Sequence, residues 1–301
     1  MIISSVIIPT LNGGKTFVKC AKALAEQKFN HPWEIVIIDS GTNDGSLEQS
    51  TQIFSKFKIT LKLLRIEKKN FQHGSSRNQA IQNARGKIIC LLTQDAIPAN
   101  NDWLNQITLP FFNDKKICGV FGRHAAHISH PKLISRDMDY HFNLMKEKPI
   151  RYISNKKAYN GDISLRQFLH FFSNNSSAIR HSEWQITPFP KVEFGEDQLW
   201  AKSILEKGGS LMYQDSALTF HSHNFSFLES FKRAKTEMEY FKKYFGYDLT
   251  LPKKLFLIRT LGNIFKDCKW LNSYGCLQLS EIIYSIRKNI SVNAAHSFTK
   301  V

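Results

Sequence analysis

The first half of the chain alternates short, uninterrupted apolar runs with segments in which apolar residues recur at helical spacing. The apolar runs are rich in β-branched residues and cover residues 5–8, 34–38, 61–66, 87–92 and 120–121. Between them, the spacing predicts helices that include residues 17–24, 75–84 and 101–112. A strand that is apolar without alternation is buried on both faces, and intervening helices supply the covering layers. We therefore predict a mainly parallel, Rossmann-like α/β sheet flanked by helices.

The second half of the chain changes character twice. Residues 125–172 are irregular and rich in His, Lys and aromatic side chains, and two short strands are predicted at residues 211–213 and 217–220. Farther on, a helical stripe of apolar residues with lysines around it comprises Leu228, Phe231, Ala234, Met238, Phe241 and Phe245. More helices are predicted near residues 255–265 and 279–286. We expect an α/β domain over residues 1–225 and a basic, amphipathic helical segment over residues 226–301.

The chain is strongly basic. Its 301 residues include 41 Lys and Arg against 25 Asp and Glu, which gives a formal net charge of +16. Such a field attracts polyanions, whether nucleic acid, anionic lipid or phosphorylated substrates. The basic residues are spread along the chain instead of forming one stripe, which disfavours a nucleic-acid-binding protein.

Cysteine usage and hydropathy indicate the compartment. None of the five cysteines forms a C-x-x-C pair, and Cys90 and Cys118 lie in apolar runs, as reduced core residues do. The N-terminal stretch lacks the cationic segment and cleavage site of a secretory leader. No uninterrupted apolar run approaches the roughly 18 residues that span a bilayer. We expect a cytoplasmic protein that lies on the membrane surface wherever it meets one.

Polar loops follow three of the predicted strands. They are PTLNGG at residues 9–14, DSGTNDGS at 39–46 and TQDA at 93–96. Each alone is an ordinary turn, since Gly, Asn and Asp favour turns. In an open parallel sheet, however, ligands bind at the carboxyl ends of the strands, so three such loops at one edge favour a nucleotide site. Neither a G-x-G-x-x-G motif nor a P-loop follows the first strand, which disfavours dinucleotide and P-loop functions.

Five segments, in this order along the chain, resemble one enzyme family. They are SVIIPTLN, EIVIIDSGTNDGS, RNQAI…ARGKIICLLTQDAIP, FGEDQLWAKSILEKGG and HSH. Over roughly residues 4–225, the chain resembles the family-2 glycosyltransferases of the GT-A fold. HGSSRN with LTQDA resembles the bacterial rhamnosyltransferase branch of that family. The resemblance implies a nucleoside-diphosphate sugar donor, a divalent metal and inversion at the anomeric carbon.

The resemblance assigns the donor to the loops at the sheet edge. Asp39 matches the family carboxylate that holds the base and ribose, which suits an acceptor of hydrogen bonds from ring N–H and hydroxyl groups. The other residues expected at the nucleotide-sugar site are Pro9, Thr10, Asn12, Gly41, Arg77, Gln94 and Asp95. A planar guanidinium suits a diphosphate, so Arg77 is expected to contact it, with a surface salt bridge as the alternative.

The family's Asp-x-Asp metal motif corresponds here to Thr93-Gln94-Asp95. Thr93 replaces the first carboxylate and Asp95 keeps the second, a departure that the rhamnosyltransferase branch shares. The resemblance implies that Asp95 holds Mg²⁺ or Mn²⁺ between the two donor phosphates, where the ion stabilises charge on the leaving group. His221, and second to it His223, are expected to complete the metal site, with packing or acceptor contact as the alternative.

Glu196 and Asp197 open a predicted helix. An acidic residue at this position is often only a cap or a partner of the helix dipole. The family pattern instead makes Asp197 the general base that removes the proton of the acceptor hydroxyl, while Glu196 orients the site.

These expectations combine into one function with alternatives. We expect transfer of L-rhamnose from dTDP-L-rhamnose to a glycan or lipid-linked glycan of O-antigen, capsule or a related polysaccharide, with no nucleic-acid partner. The alternatives are the same fold with a UDP-sugar donor, and a basic nucleic-acid-binding module without catalysis. We also expect the segment over residues 227–301, through its apolar stripe and its later lysines and arginines, to hold the enzyme on anionic lipid at the inner face of the plasma membrane. The alternative is that the stripe packs on the catalytic domain.

Overall fold

The computed structural model describes residues 1–299. Its strands are β1 (Ser4–Thr10), β2 (Trp33–Asp39), β3 (Thr60–Arg65), β4 (Ile88–Leu92), β5 (Ile97–Pro98), β6 (Ile117–Ala125), β7 (Ile150–Arg151), β8 (Ser176–Arg180) and β9 (Ser210–Phe220). Its helices are α1 (Gly14–Ala25), α2 (Ser46–Lys56), α3 (His73–Gln82), α4 (Trp103–Asn113), α5 (Lys132–Glu147), α6 (Lys156–Gly161), α7 (Ile163–His170), α8 (His181–Ile186), α9 (Glu196–Glu206), α10 (Phe227–Phe245), α11 (Phe256–Ser273) and α12 (Leu279–Phe298).

The strands form one mixed sheet. Their order is β3-β2-β1-β4-β8-β6-β9-β5, and β7 pairs with β9. The first four strands of the chain pair in parallel, which confirms the predicted parallel sheet for this half of the molecule. The other half is mixed, because β8 lies antiparallel between β4 and β6, whereas β6 and β9 are parallel.

The chain divides into two compact units. The first contains residues 1–125 and 141–221, and the second contains residues 126–140 together with the chain from Ser222 onward. The strands belong to the first unit, α10, α11 and α12 belong to the second, and α5 begins in the second and ends in the first. We predicted a contiguous division after residue 225. Residues 126–140 join the helical unit instead, because the backbone N–H groups of Lys132 and Leu133 donate to the carboxylate of Glu281.

The core of the first unit surrounds the parallel strands. Apolar side chains without solvent exposure cover one face of these strands and the helix sides packed on it: Val6, Ile8, Phe17, Leu24, Ile35, Ile37, Phe54 and Trp103. Burying each such side chain contributes about 1.5–3 kcal/mol to stability. The five cysteines are free thiols, and Cys90 and Cys118 are buried, which confirms their prediction as reduced core residues.

The strand before the histidine pair is longer than predicted. We expected two short strands in this region, but β9 is continuous over Ser210–Phe220. β9 stays paired with β6, although the register of the two strands shifts between Gly122 and His124. This shift accommodates the polar residues Gln214 and Asp215 without ending the strand.

The second unit is helical, with α10 packed on α12. Ser226 and Glu229 form a reciprocal capping box at the start of α10, and Gly246 ends this helix in the left-handed region at φ 71°. Ala234 and Met238 are buried and Leu228 is exposed. The three phenylalanines of the stripe are half-buried, so only part of the stripe that we expected to face a membrane is covered by the protein. An apolar stripe at helical spacing is typical both of a helix that faces a membrane and of a helix that packs on protein, so the sequence alone did not distinguish the two.

Exposed apolar side chains lie on α11 instead. Leu257, Ile258, Leu261 and Phe265 expose 65%, 71%, 64% and 71% of their surface, and their spacing places them on one side of the helix. None of the helices within residues 1–299 combines the length and the apolar character needed to cross a bilayer.

Candidate active site

The ends of β1 and β2 form one wall of the candidate site. Their parallel register places Thr10 directly opposite Asp39, and both side chains are buried. The carboxylate of Asp39 accepts hydrogen bonds from the backbone N–H groups of Gly41, at 3.3 Å, and Thr42, at 3.0 Å. The resemblance placed Asp39, Thr10 and Gly41 at the donor site, and the structure brings all three to this strand edge.

The loop after β1 is tied to the loop after β2 by side chain to backbone hydrogen bonds. The N–H of Asn12 donates to Thr42 Oγ1 at 3.1 Å, and Asn12 Oδ1 accepts from the N–H of Asn43 at 2.9 Å. Asn12 adopts φ 46°, in the left-handed region that Asn tolerates better than most residues. Pro9 is buried within β1 and adds no donor to this edge. The two loops therefore form one preorganised surface.

Gln94 joins the loop after β4 to the loop after β1. Its Oε1 accepts from Thr10 Oγ1 at 2.7 Å and from the N–H of Leu11 at 3.0 Å, and its Nε2 donates to the carbonyl of Leu11 at 3.1 Å. A Cβ at Gly13 would lie 2.6 Å from Gln94 Oε1, so the close approach requires glycine there. The amide of Gln94 is thus engaged in positioning the loop that we expected to contact the donor.

Asp95 and His221 are brought together by the pairing of β5 with β9. Ile97 lies opposite Phe220, which places the residues just before β5 beside those just after β9. Asp95 Oδ1 and His221 Nε2 lie 3.6 Å apart, within ion-pair range but too far for a direct hydrogen bond. These atoms are a carboxylate oxygen and an imidazole nitrogen, which are both common metal ligands, so a possible Asp–His metal site exists here.

Two further residues, His223 and Thr93, belong to the predicted metal motif. His223 belongs to the second unit, where its ring stacks on Phe225 with the centroids 5.0 Å apart. Thr93 Oγ1, at the position of the missing first carboxylate, is buried and has no hydrogen-bond partner within the described part of the chain. The triplet therefore supplies one carboxylate, from Asp95, and one hydroxyl whose hydrogen-bonding capacity is unused.

A histidine that the sequence did not single out lies behind His221. His124 is buried on β6, opposite Thr219 of β9, and its ring centroid is 5.5 Å from that of His221. Burial, followed by the charges of His221 and His141, holds the pKa of His124 well below its usual value. The His124 imidazole is therefore neutral, and it supports the ring of His221 without adding charge.

Glu196 and Asp197 begin α9, as predicted, and they belong to one polar network. Arg77 Nη1 donates to Glu196 Oε1 at 2.7 Å, and Asn174 Nδ2 donates to the same oxygen at 3.1 Å. The N–H of Asn174 donates to Asp197 Oδ2 at 3.1 Å. Gly195 precedes the pair in the left-handed region at φ 73°, which lets the chain turn into the helix at this point. Sequence reasoning missed Asn174, whose only signal was the polar turn before β8.

The surroundings of Asp197 make its carboxyl a weaker acid than that of an ordinary aspartate. Burial, followed by the carboxylate of Glu196, raises the pKa of Asp197 to about 7. The backbone N–H groups of Asn174 and Gln198 and the charge of Arg77 oppose this rise. A half-buried carboxylate with such a pKa can accept a proton near neutral pH, as a general base must.

Arg77 forms a buried ion pair, which the sequence did not predict. Its side chain is 3% exposed, and its ion pair with Glu196 is buried, whereas we expected either a diphosphate contact or a surface salt bridge. The close approach depends on Gly74, because a Cβ there would lie 2.3 Å from the carbonyl oxygen of Pro190. Arg77 therefore holds Glu196 in place.

The architecture and these strand-end carboxylates define a class of enzyme. The fold resembles that of the mannosyltransferase PcManGT from Pyrobaculum calidifontis in complex with GDP-Man and Mn²⁺, with TM-score 0.59 and 17% identity over 99% of this chain and 76% of that chain. It also resembles residues 1–349 of S. aureus TarS in complex with UDP-GlcNAc, with TM-score 0.56 and 16% identity over 98% of this chain and 90% of that one. The protein is a glycosyltransferase of the GT-A fold, with a helical C-terminal segment.

The family follows from the sequence comparison. The family model described as "Glycosyl transferase family 2" matches residues 5–182, and the chain belongs to this family. One similar protein is the O-antigen chain rhamnosyltransferase RfbN of Salmonella typhimurium, 27% identical over 232 residues, which are 76% of this chain and 69% of that protein. Another is the O-antigen chain rhamnosyltransferase WbaN of Salmonella anatum, 28% identical over 236 residues with the same coverage of 76% and 69%.

Proposed function

We propose that this family-2 glycosyltransferase moves L-rhamnose from dTDP-L-rhamnose to a hydroxyl of a bacterial surface glycan, with inversion at the anomeric carbon. The observation that carries the proposal is the carboxylate of Asp197, half-buried at the start of α9 with a raised pKa. The choice of sugar and acceptor class is supported by the two O-antigen rhamnosyltransferases among the relatives.

The nucleoside of the donor is proposed to lie against the wall formed by the loops after β1 and β2. A carboxylate offers about four lone-pair positions. Asp39 uses two of them for backbone N–H groups, which leaves acceptor capacity for a base N–H and a ribose hydroxyl. Because the side chains of Asn12 and Gln94 already fix these loops, little ordering is required when the donor binds.

We propose that Asp95, His221 and His223 hold a divalent cation. The 3.6 Å between Asp95 Oδ1 and His221 Nε2 is short enough for both atoms to bind the same ion. His223 is proposed as the third ligand because it follows His221 by only two residues. Of the two expected ions, Mn²⁺ suits a site with imidazole better, since Mg²⁺ prefers oxygen ligands. When bound, the ion stabilises negative charge on the departing diphosphate.

Asp197 is proposed as the general base of a single displacement. The acceptor oxygen attacks the anomeric carbon while the bond from that carbon to the donor phosphate oxygen breaks on the opposite face. The acceptor proton passes to Asp197, and the electron pair of the broken bond leaves with the nucleoside diphosphate. Glu196 is unsuited to this task, because Arg77 and Asn174 already occupy one of its oxygens and the side chain is buried.

A donor panel tests the proposal. The purified chain is incubated with a lipid-linked glycan extract and with dTDP-L-rhamnose, UDP-glucose or GDP-mannose in turn, and each product is weighed by mass spectrometry. We expect the mass of one deoxyhexose to be added from dTDP-L-rhamnose alone, and not with the Asp197→Asn variant. Transfer from UDP-glucose alone would show that the chain is the UDP-sugar enzyme instead. Absence of transfer from every donor contradicts the proposed activity.

We further propose that the helical segment rests on an anionic membrane surface. The surface for this contact is the exposed apolar side of α11, which comprises Leu257, Ile258, Leu261 and Phe265. The protein carries a formal charge of +16, and anionic headgroups attract nearby lysines and arginines by about 1 kcal/mol each. A helix with such a side and basic neighbours is typical of interfacial binding.

Co-sedimentation with vesicles tests the membrane proposal. We expect the chain to bind vesicles that contain phosphatidylglycerol, less at high salt, and not to bind neutral vesicles. Ile258→Asp with Leu261→Asp should abolish binding, whereas Leu228→Asp on α10 should not, although Leu228 is as exposed, at 65%. A wild-type protein that stays in the supernatant at low salt contradicts this role of α11.

A further inference from the structure

A cavity in the second unit lies outside every site assigned so far. Its volume is about 440 Å³, within the range of about 300–1,000 Å³ that is usual for small-ligand pockets. The lining residues come from α5, α11 and α12: Arg136, Arg259, Asn263, Lys266, Asp267, Lys288, Asn289, Val292, Asn293 and His296. None of these residues belongs to the proposed donor, metal or base site.

The walls of this cavity are predominantly cationic. Four arginine or lysine side chains line it against a single carboxylate, that of Asp267. That carboxylate is already engaged at both oxygens, because Oδ1 pairs with Arg136 Nη2 at 2.7 Å and Oδ2 accepts from Ser285 Oγ at 2.7 Å and Asn289 Nδ2 at 2.9 Å. Burial alone would raise the pKa of Asp267, but the hydrogen bonds from Ser285 and Arg136 hold it below the ordinary range. The carboxylate of Asp267 therefore has a structural role in the wall of the cavity.

Two of the cations lack a counter-charge. Lys288 pairs with Asp137, but Arg259 and Lys266, which are both exposed, form no ion pair with any residue between 1 and 299. Burial, followed by the charge of Arg259, lowers the pKa of His296 despite the opposing charge of Glu237. The positive field at this end of the cavity is therefore not neutralised by the protein.

The cavity also has a polar floor that is fixed in place. Asn289 Nδ2 is held by Asp267, and Asn293 Nδ2 donates to Thr260 Oγ1 at 3.0 Å. Asn289, Asn293 and Thr260 are all buried. Several cations that line one cavity together with fixed, hydrogen-bonded polar side chains distinguish an anion site from a merely basic surface.

We propose that this cavity binds a phosphate or diphosphate group, held chiefly by Arg259 and Lys266. Guanidinium and ammonium groups are the usual partners of phosphate oxygens, and a multiply charged anion supplies the counter-charge that these two side chains lack. The site goes beyond the proposed transfer reaction, because it uses no residue of the donor or base sites. Its ligand is the phosphate of a soluble molecule or of a lipid headgroup.

The arrangement of α11 favours the soluble source. Arg259 and Lys266 lie seven residues apart, two turns along one side of the helix, whereas Leu257 and Leu261 lie on a different side. A bilayer that contacts the apolar side of α11 would therefore not face the two cations directly. Inorganic pyrophosphate is the appropriate first probe.

Calorimetric titration of the whole chain with pyrophosphate tests the site. Divalent metal is removed with chelator, and the Asp95→Ala variant, which lacks the proposed metal ligand of the donor site, is titrated in a second series. We expect saturable 1:1 binding in both series. Arg259→Gln with Lys266→Gln should weaken the affinity by about tenfold or more. The charge-matched control, Lys254→Gln with Lys269→Gln, removes two exposed cations outside the cavity and should change it less than about twofold.

Three results would overturn the site. They are the absence of saturable binding to the wild type, equal weakening by both double variants, and loss of pyrophosphate binding in the Asp95→Ala variant. Sugar transfer is measured in parallel, so failure here is distinguishable from failure of the proposed function. The source is then settled with phosphatidylcholine vesicles that carry a polyprenyl diphosphate or the matching polyprenol. If the diphosphate vesicles compete with pyrophosphate, the ligand is a lipid headgroup. If they do not compete, the ligand is a soluble phosphate compound.

Discussion

Replacing Asp197 by Asn removes the proposed base and changes the local hydrogen bonding in a defined way. The carboxylate of Asp197 accepts from two backbone N–H groups, that of Gln198 at 2.8 Å and that of Asn174 at 3.1 Å. An amide offers one oxygen, so one of these N–H groups loses its acceptor. A buried donor without a partner costs about 1–3 kcal/mol of stability. The variant should therefore fold, with a modestly lower free energy of unfolding.

The kinetic effect should be much larger than the loss of stability. Loss of a general base typically lowers the rate about 10²–10⁴-fold, which corresponds to about 3–5 kcal/mol in the activation barrier. The wild type should also lose activity as the pH falls, because a carboxyl with a raised pKa is protonated where an ordinary aspartate is not. With a pKa of about 7 for Asp197, about one tenth of the carboxyl is ionised at pH 6 and about nine tenths at pH 8.

The assay is kcat/KM for sugar transfer between pH 5.5 and 9, which we expect to rise nearly tenfold from pH 6 to pH 8 and then level off. Asp197→Asn should retain nucleotide affinity, lose transfer and lose the rise. Asp248→Asn, at an exposed aspartate in the second unit, serves as the matched control and should behave as the wild type. A flat wild-type profile across this range would refute the pKa argument. An Asp197→Asn variant within a few-fold of wild-type rate would refute the assignment of the base.

Three further predictions concern the neighbouring groups. Glu196→Gln removes a charge that raises the pKa of Asp197, so the midpoint of the pH profile should fall below that of the wild type; a rise would contradict this coupling. Arg77→Met leaves a buried carboxylate unpaired and should lower the free energy of unfolding by about 3–5 kcal/mol in urea titrations. The matched control Arg233→Met breaks an exposed helical pair and should cost about 0.3–0.5 kcal/mol, and equal effects would contradict the argument. Asp95→Ala should weaken nucleoside-diphosphate binding in Mn²⁺ but not in chelator, and full activity after chelation would exclude a metal role.

The loops after β1, β2 and β4 could be predicted because they follow from the local pattern of apolar and polar residues. Uninterrupted apolar runs identified β1, β2 and β4, and parallel strands bring their carboxyl ends to one edge whatever the rest of the chain does. Asp39 and Asp95 were found in this way. The orientation of β8 was not predictable, because its sequence, SSAIR, has neither an apolar run nor a clear alternation.

The network around Asp197 depends on contacts that the sequence pattern does not encode. Arg77 and Glu196 are 119 positions apart, and their pairing requires the close approach at Gly74. The N–H and side chain of Asn174 reach the pair only because β8 enters the sheet beside β4. The family resemblance named Asp197, but only the fold explains the raised pKa that suits it to be a base.

The most direct test of the account is the anomeric configuration of the transferred sugar. The product made from dTDP-L-rhamnose is isolated, and the one-bond carbon–hydrogen coupling at its anomeric carbon is measured by NMR and compared with that of the donor. A single displacement assisted by Asp197 predicts a configuration opposite to that of the donor. Retention of the donor configuration would contradict the account, because it requires a second displacement for which Asp197 as a base provides no nucleophile.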